Sequence, residues 1–188
     1  DDARLAIHLA MTAADHDAVI INYMSVEGLM KENEKVCGVR AKDNFENKEY
    51  EIKAKAVINA TGIFSDSIAK MDNKDAEPLI SHSQGIHLVF DKEFLLSDTA
   101  IMIPRTDDGR VLFAVPWHNK IIVGTTDTPV SSASEEPVAM KEEIEFVMQH
   151  IHRYLKKDPS YTDIRSVFAG LRPLVKSNSK ITSAISRD

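Results

Sequence analysis

Residues 84–90, Gln-Gly-Ile-His-Leu-Val-Phe, carry a clear alternation: Ile86, Leu88 and Phe90 fall on one side of an extended strand, and Gly85, His87 and Val89 on the other. Three further short apolar runs follow at 100–104, 111–116 and 121–125. Asp107-Asp108-Gly109 and Trp117-His118-Asn119-Lys120 supply the turns between them. Successive short strands with tight connections predict an antiparallel sheet. An earlier strand-rich stretch has the same period. Residues 36–41 and 48–52 alternate and are joined through Asp43-Asn44, which predicts a β-meander. Residues 18–23 read as a buried strand that 24–30 continue. Residues 56–58 read as a second buried strand, closed by the small-residue turn Ala60-Thr61-Gly62. Residues 163–170 and 181–185 are the last expected strands. Gly170 and Pro173 bracket Arg172 and predict a defined turn there.

The helical period appears three times. Residues 3–14 follow two acids and are apolar on most sides, which predicts a helix packed between layers. Residues 64–71 form a short helix with Ser65 or Asp66 as cap. Over 139–157, Met140, Ile144, Val147, Ile151 and Leu155 recur at helical spacing. Glu142, Glu143 and Glu145 come early and Arg153, Lys156 and Lys157 late, matching the helix dipole. The polar stretch 72–78, with Pro78, marks a domain boundary. Residues 57–62 read as a hinge between two layers of architecture.

Composition narrows the classes. Hydrophobic residues make up 43% of the 188 positions, so a packed core is expected. A net charge of -6 argues against a general nucleic-acid binder. The single cysteine, Cys37, excludes an internal disulfide and reads as a packed strand residue. No apolar run approaches the ~20 residues of a membrane helix, and a soluble, reducing compartment is the default expectation. The chain starts without Met and stops after an apolar run, which reads as an internal piece of a longer protein.

Candidate chemistry is sparse. His87, beside a glycine on a strand face, either lines a cleft or is a hydrogen-bonded histidine on a solvated face. Arg172 and Arg187 at strand ends would suit one phosphate or carboxylate, or would pair with the chain's own acids. Asp127 caps a turn or meets a ligand. Residues 60–62 are either one wall of a cofactor site or a plain strand-to-helix turn. His8 reads as a satisfied histidine, and His150 and His152 lie two apart, a poor spacing for metal. No metal site is expected.

Several stretches, in order, carry a resemblance: Asp1-Asp2-Ala3-Arg4-Leu5, V-I-N-A-T-G at 57–62, Q-G-I-H-L-V at 84–89, V-G-T-T-D at 123–127, A-G-L-R-P-L at 169–174 and I-S-R-D at 185–188. The chain resembles the FAD-dependent glycerol-3-phosphate dehydrogenases, within the D-amino-acid-oxidase-like flavoproteins. V-I-N-A-T-G alone marks the wide group; its combination with G-T-T-D, G-L-R-P and S-R-D is more specific. The resemblance implies a mixed α/β (α+β) fold. Residues 1–77 would be the middle of an FAD domain with its β-meander. Residues 78–160 would be a substrate domain on a mixed, mostly antiparallel sheet with flanking helices, and 161–188 a return segment.

It also implies a reaction, oxidation of glycerol 3-phosphate to dihydroxyacetone phosphate by hydride transfer to FAD. His87 would be the base or hydroxyl-orienting group, and Arg172 and Arg187 would bind substrate. Ala60, Thr61, Gly62 and the main chain of Val26 would contact FAD. Gln84 stands where a basic residue is expected in many relatives. No G-x-G-x-x-G occurs in the chain, so weak or no FAD binding is expected of this stretch alone. The resemblance raises quinone as electron acceptor, a cytoplasmic location with peripheral contact at the inner face of the cell membrane, and a homodimer. An amino acid or 2-hydroxy acid as substrate, or a non-catalytic binding domain, are the alternatives.

Overall fold

The computed structural model describes residues 2–104, 106, 109–155 and 157–176. The strand expected at 181–185 and Arg187 lie outside the described residues. The chain divides into two compact units, one of Asp1–Asn59 with Ile68–Asp75, the other of Ala60–Ser67 with Ala76–Asp188.

In the first unit, helix α1 (Asp2–Asp15) is followed by an antiparallel meander of β1 (Met24–Glu32), β2 (Lys35–Asp43) and β3 (Glu49–Lys53). Asn33 and Glu34, both at positive φ (50° and 63°), make the two-residue turn between β1 and β2. The Asp43 carboxylate accepts the amides of Phe45 and Glu46 (2.7 and 3.2 Å), which shapes the second turn. Cys37 sits half-buried on β2.

Three expectations fail here. Residues 18–23 are not a strand. Tyr23 turns to φ 54° just before the β1 ladder opens at Met24. Residues 56–58 are not a strand either, and Ile58 is 87% exposed. Helix α1 buries none of its residues. The physical reason is shared. An apolar run becomes a strand or a packed helix only against a neighbour, and none of the described strands pairs with these runs.

The second unit is built around β4 (Ile80–Asp91). On one side of β4 lie β7 (Lys120–Gly124) and β8 (Thr128–Val130); on the other, β9 (Ser166–Val175) runs its full length. Beyond β7 come β6 (Leu112–Trp117) and β5 (Ile101–Ile103), and every pairing is antiparallel. Helix α2 (Ser65–Asp72) starts in this unit and continues into the segment that belongs to the first, and α3 (Lys141–Ile151) packs on the sheet. As the alternation predicts, Ile86, Leu88 and Phe90 are buried. They meet Leu112, Ile121 and Val123 from the sheet, Val147, Met148 and Ile151 from α3, and Phe94 from a short 3₁₀ turn. Each such side chain contributes about 1.5–3 kcal/mol when removed from water.

Helix α3 ends at Ile151 rather than at 157. The chain tightens into turns, in which the amides of Tyr154 and Leu155 both bond the Ile151 carbonyl, and Leu155 stays buried. The expected turn around Arg172 is also absent. β9 continues through Gly170, Arg172 and Pro173 to Val175, with Arg172 opposite Ser83 and Pro173 opposite His82. β9 pairs with β4 alone among the described strands, and at a sheet edge the missing N–H of proline is tolerated. Strand β8, which contains Pro129, was not expected.

Candidate functional site

The site grows from a break in one ladder. β7 pairs with β4 so that Gly124 faces His87; β8 resumes with Thr128 facing Gln84. Three residues, Thr125, Thr126 and Asp127, thus span the distance of Gly85 and Ile86, a one-residue bulge. A bulge takes main-chain groups out of the ladder and turns them to other uses. Here the Thr126 hydroxyl accepts the Ile86 amide (3.0 Å) in place of a ladder bond. The Thr126 carbonyl accepts from Arg172 Nη1 (3.1 Å), and Thr125 Oγ1 accepts from Arg172 Nη2 (3.0 Å). Asp127 accepts the Ser83 hydroxyl and lies 3.8 Å from the same guanidinium.

The arginine lies across β4 because residue 85 has no side chain. A Cβ there would stand 2.5 Å from Arg172 Nη1 and 2.6 Å from Thr125 Oγ1. Gly124 does the same for the histidine, since a Cβ would stand 2.5 Å from His87 Cδ2. Opposed residues of an antiparallel pair share a face. One row across the sheet therefore reads Met102, Phe113, Gly124, His87, Phe168. The His87 and Phe168 rings stack at 5.0 Å and 14°. Burial pushes the His87 pKa down, and the Arg172 charge pushes it further, so both favour the neutral ring. An open pocket of about 310 Å³ adjoins, bounded by Arg110, Val111, Thr125, Asp127 and Arg172.

His87 and Arg172 thus share one face of one sheet, and Arg187 lies outside the described residues. Ala60, Thr61 and Gly62 form an exposed turn in the same unit, with Gly62 at φ 55° and open space where its Cβ would be. Two contacts tie this turn's continuation to β4: His82 Nε2 donates to the Ile63 carbonyl (2.9 Å), and Asp66 accepts the amides of Leu79 and Ile80 (2.9 and 3.1 Å). Asp66 therefore anchors β4, and the Ser65 hydroxyl donates to the Gly62 carbonyl (2.8 Å). Val26 belongs to the first unit, half-buried on edge strand β1 opposite Ala41, where a register shift separates it from Gly28. Among the described residues no cluster of three or more His, Cys, Asp or Glu could hold a metal.

Sequence reasoning missed two features. Glu143, 3% exposed, is not a surface helix acid but a buried hub: it accepts from Gln84 Nε2 (2.7 Å), Thr126 Oγ1 (2.9 Å) and the Met140 amide (3.0 Å). Gln84, which stands where a basic residue is expected in many relatives, points inward and also donates to the Val138 carbonyl (3.0 Å). Arg110 stacks on the Phe146 ring at 4.7 Å beside the open pocket. The acid at N3 of a helix is a local signal for Glu143; its partners on β4 and the bulge are not local.

The antiparallel sheet is packed on a helix by one face and open around a histidine and an arginine by the other, and two solved FAD-bound proteins share this mixed α/β architecture. A solved glycerol-3-phosphate dehydrogenase from Bacillus halodurans, complexed with FAD, matches it with a TM-score of 0.87 at 32% identity, over 95% of this chain and 36% of that one. L-α-glycerophosphate oxidase from Mycoplasma pneumoniae, with FAD bound, shares the fold at a TM-score of 0.70 and 19% identity, over 90% of this chain and 44% of its own.

The family model described as FAD dependent oxidoreductase matches residues 1–186, and the chain belongs to that family. The mitochondrial glycerol-3-phosphate dehydrogenase of Mus musculus is 38% identical over 197 residues, and the probable one of Caenorhabditis elegans 42% over 193. The chain is covered completely by both and spans 27% of their length. The residues present fit the family's cofactor on one count that the structure itself provides. Gly170 has open space where a Cβ would stand, and Phe113 and Phe168 on the same face are 43% and 48% exposed, an apolar surface suited to a planar ring.

Proposed function

We propose that the chain is part of a flavoenzyme that oxidises sn-glycerol 3-phosphate to dihydroxyacetone phosphate. The observation that carries this reading is Arg172, held by the bulge beside a neutral His87 on the open face of β4 and β9. When bound, FAD supplies the acceptor for the hydride that leaves the middle carbon. The chain's own residues do the rest. A ring nitrogen of neutral His87 takes the proton of the substrate hydroxyl, or orients that hydroxyl, as the carbonyl forms. Arg172, joined by Arg187, binds the phosphate oxygens with its planar fork and fixes the carbon near the flavin. The turn of Ala60, Thr61 and Gly62 would hold FAD by its main chain, and Val26 would offer main-chain bonds to the adenine. The names of the relatives support the substrate, since they are glycerol-3-phosphate dehydrogenases.

A quinone would be the electron acceptor of the full-length enzyme. A peripheral contact with the inner face of the cell membrane would serve that transfer, in a cytoplasmic protein that is a homodimer. No helix among the described residues is long and apolar enough to cross a membrane.

The test is Arg172→Leu in the full-length flavoenzyme. KM for glycerol 3-phosphate is expected to rise by about a hundredfold, the loss of a charged hydrogen-bonding partner, while the flavin stays bound. Unchanged kinetics would remove the phosphate role. A panel including an amino acid and a 2-hydroxy acid, scored by flavin bleaching, would reassign the substrate if one of them outperformed glycerol 3-phosphate.

A further inference from the structure

We infer that Glu143 is a positioning residue that sets the geometry of Arg172 through Thr126; the inference rests on the substrate role proposed above for Arg172. A buried carboxylate is costly unless its oxygens are hydrogen-bonded. Glu143 meets that condition with three donors drawn from three places: Gln84 on β4, Thr126 in the bulge, and Met140 just ahead of α3. Its Oε1 takes the Thr126 hydroxyl and its Oε2 takes the other two.

The consequence falls on Thr126. A threonine hydroxyl has one proton to give and lone pairs to accept with. With the proton committed to Glu143, the oxygen is oriented to accept the Ile86 amide, between Gly85 and His87 on β4. The side chain of Thr126 is then held at both ends, and its carbonyl is aimed at Arg172 Nη1. One carboxylate beneath the sheet thereby fixes the acceptor that orients the arginine above it. Thr126 itself is 1% exposed, so water does not compete for these bonds. Glu143 touches neither substrate nor flavin in this scheme, and acts only by holding a peptide in place.

Glutamine cannot replace it without loss. An amide offers one acceptor and one donor group, so Glu143→Gln must turn an N–H toward either the Thr126 hydroxyl or the Gln84 amide. In the full-length flavoenzyme, Glu143→Gln is expected to raise KM for glycerol 3-phosphate roughly tenfold, with kcat within about twofold and flavin content unchanged. The same change made in an Arg172→Leu background should add nothing, because the arginine that it positions is gone. Thr126→Val reads the contact from its other end and should raise KM similarly. Thr126→Ser, which keeps the hydroxyl, should recover most of that loss, and this pair decides the matter if Glu143→Gln does not fold. The inference is overturned by a KM within twofold of wild type, by a fall in kcat at constant KM, or by an effect of Glu143→Gln that persists in full without Arg172. An unchanged KM in Arg172→Leu alone overturns the substrate reading first, and this inference with it.

Discussion

The meander of the first unit and the sheet of the second are both antiparallel, yet only the second keeps a full face of large side chains from water. In β1, β2 and β3 the buried positions are Gly28, Gly38 and Ala41, and β3 is exposed throughout. In β4 the inward positions are Ile86, Leu88 and Phe90, covered by α3. The difference teaches where the chain can hold chemistry. A histidine and an arginine keep fixed positions on the open face of β4 and β9 because the opposite face is packed solid. The meander has hydrogen-bonded strands without that backing, and its part in the proposed function, main-chain contact from Val26, asks for backbone alone.

The largest expected contrast lies between the two sheets. In urea unfolding of the 188-residue chain, Phe90→Ala should cost about 3–5 kcal/mol, from lost burial and the cavity left behind. Ile52→Ala on the exposed β3 should cost less than about 1 kcal/mol. Equal losses would erase the distinction. A smaller contrast divides the open face itself. Gly124→Ala puts a methyl 2.5 Å from His87 Cδ2 and 2.6 Å from the Ile86 carbonyl, so it should cost about 1–3 kcal/mol and displace the ring. Gly170→Ala on the same face meets open space and should stay within about 0.5 kcal/mol of wild type. Similar losses at both glycines would show that the face is not tuned around His87.

What could be read in the sequence follows the same division. The alternation at Ile86, Leu88 and Phe90 was legible because one-sided burial writes itself at a period of two. The runs at 18–23 and 56–58 misled because apolar residues name a strand only where a neighbouring strand takes their backbone bonds. Gly170 and Pro173 suggested a turn, and the edge of the sheet absorbed both into β9. His87 and Arg172 were candidates from the residues alone, and the resemblance gave them roles. The bulge that joins them was not visible, since a register shift belongs to two strands at once. Glu143 was hidden by distance: Gln84 is 59 positions away, and local pattern shows only an acid at a helix start.

The subtlest expectation concerns charge. Because burial and Arg172 both depress the His87 pKa, an unfolded chain takes up this proton first as pH falls. The stability tied to a neutral His87 is whole above the ordinary value of 6.5 and is lost as pH drops through the lower folded value. His87→Gln should therefore flatten that acid-side loss in the unfolding free energy. The electrostatic coupling between the two residues can be measured by NMR titration of the His87 imidazole in this chain and in its Arg172→Met variant. The account predicts a pKa below 6.5 that moves upward when the guanidinium is removed. A ring that titrates at the ordinary histidine value, and does so identically in both proteins, would contradict it.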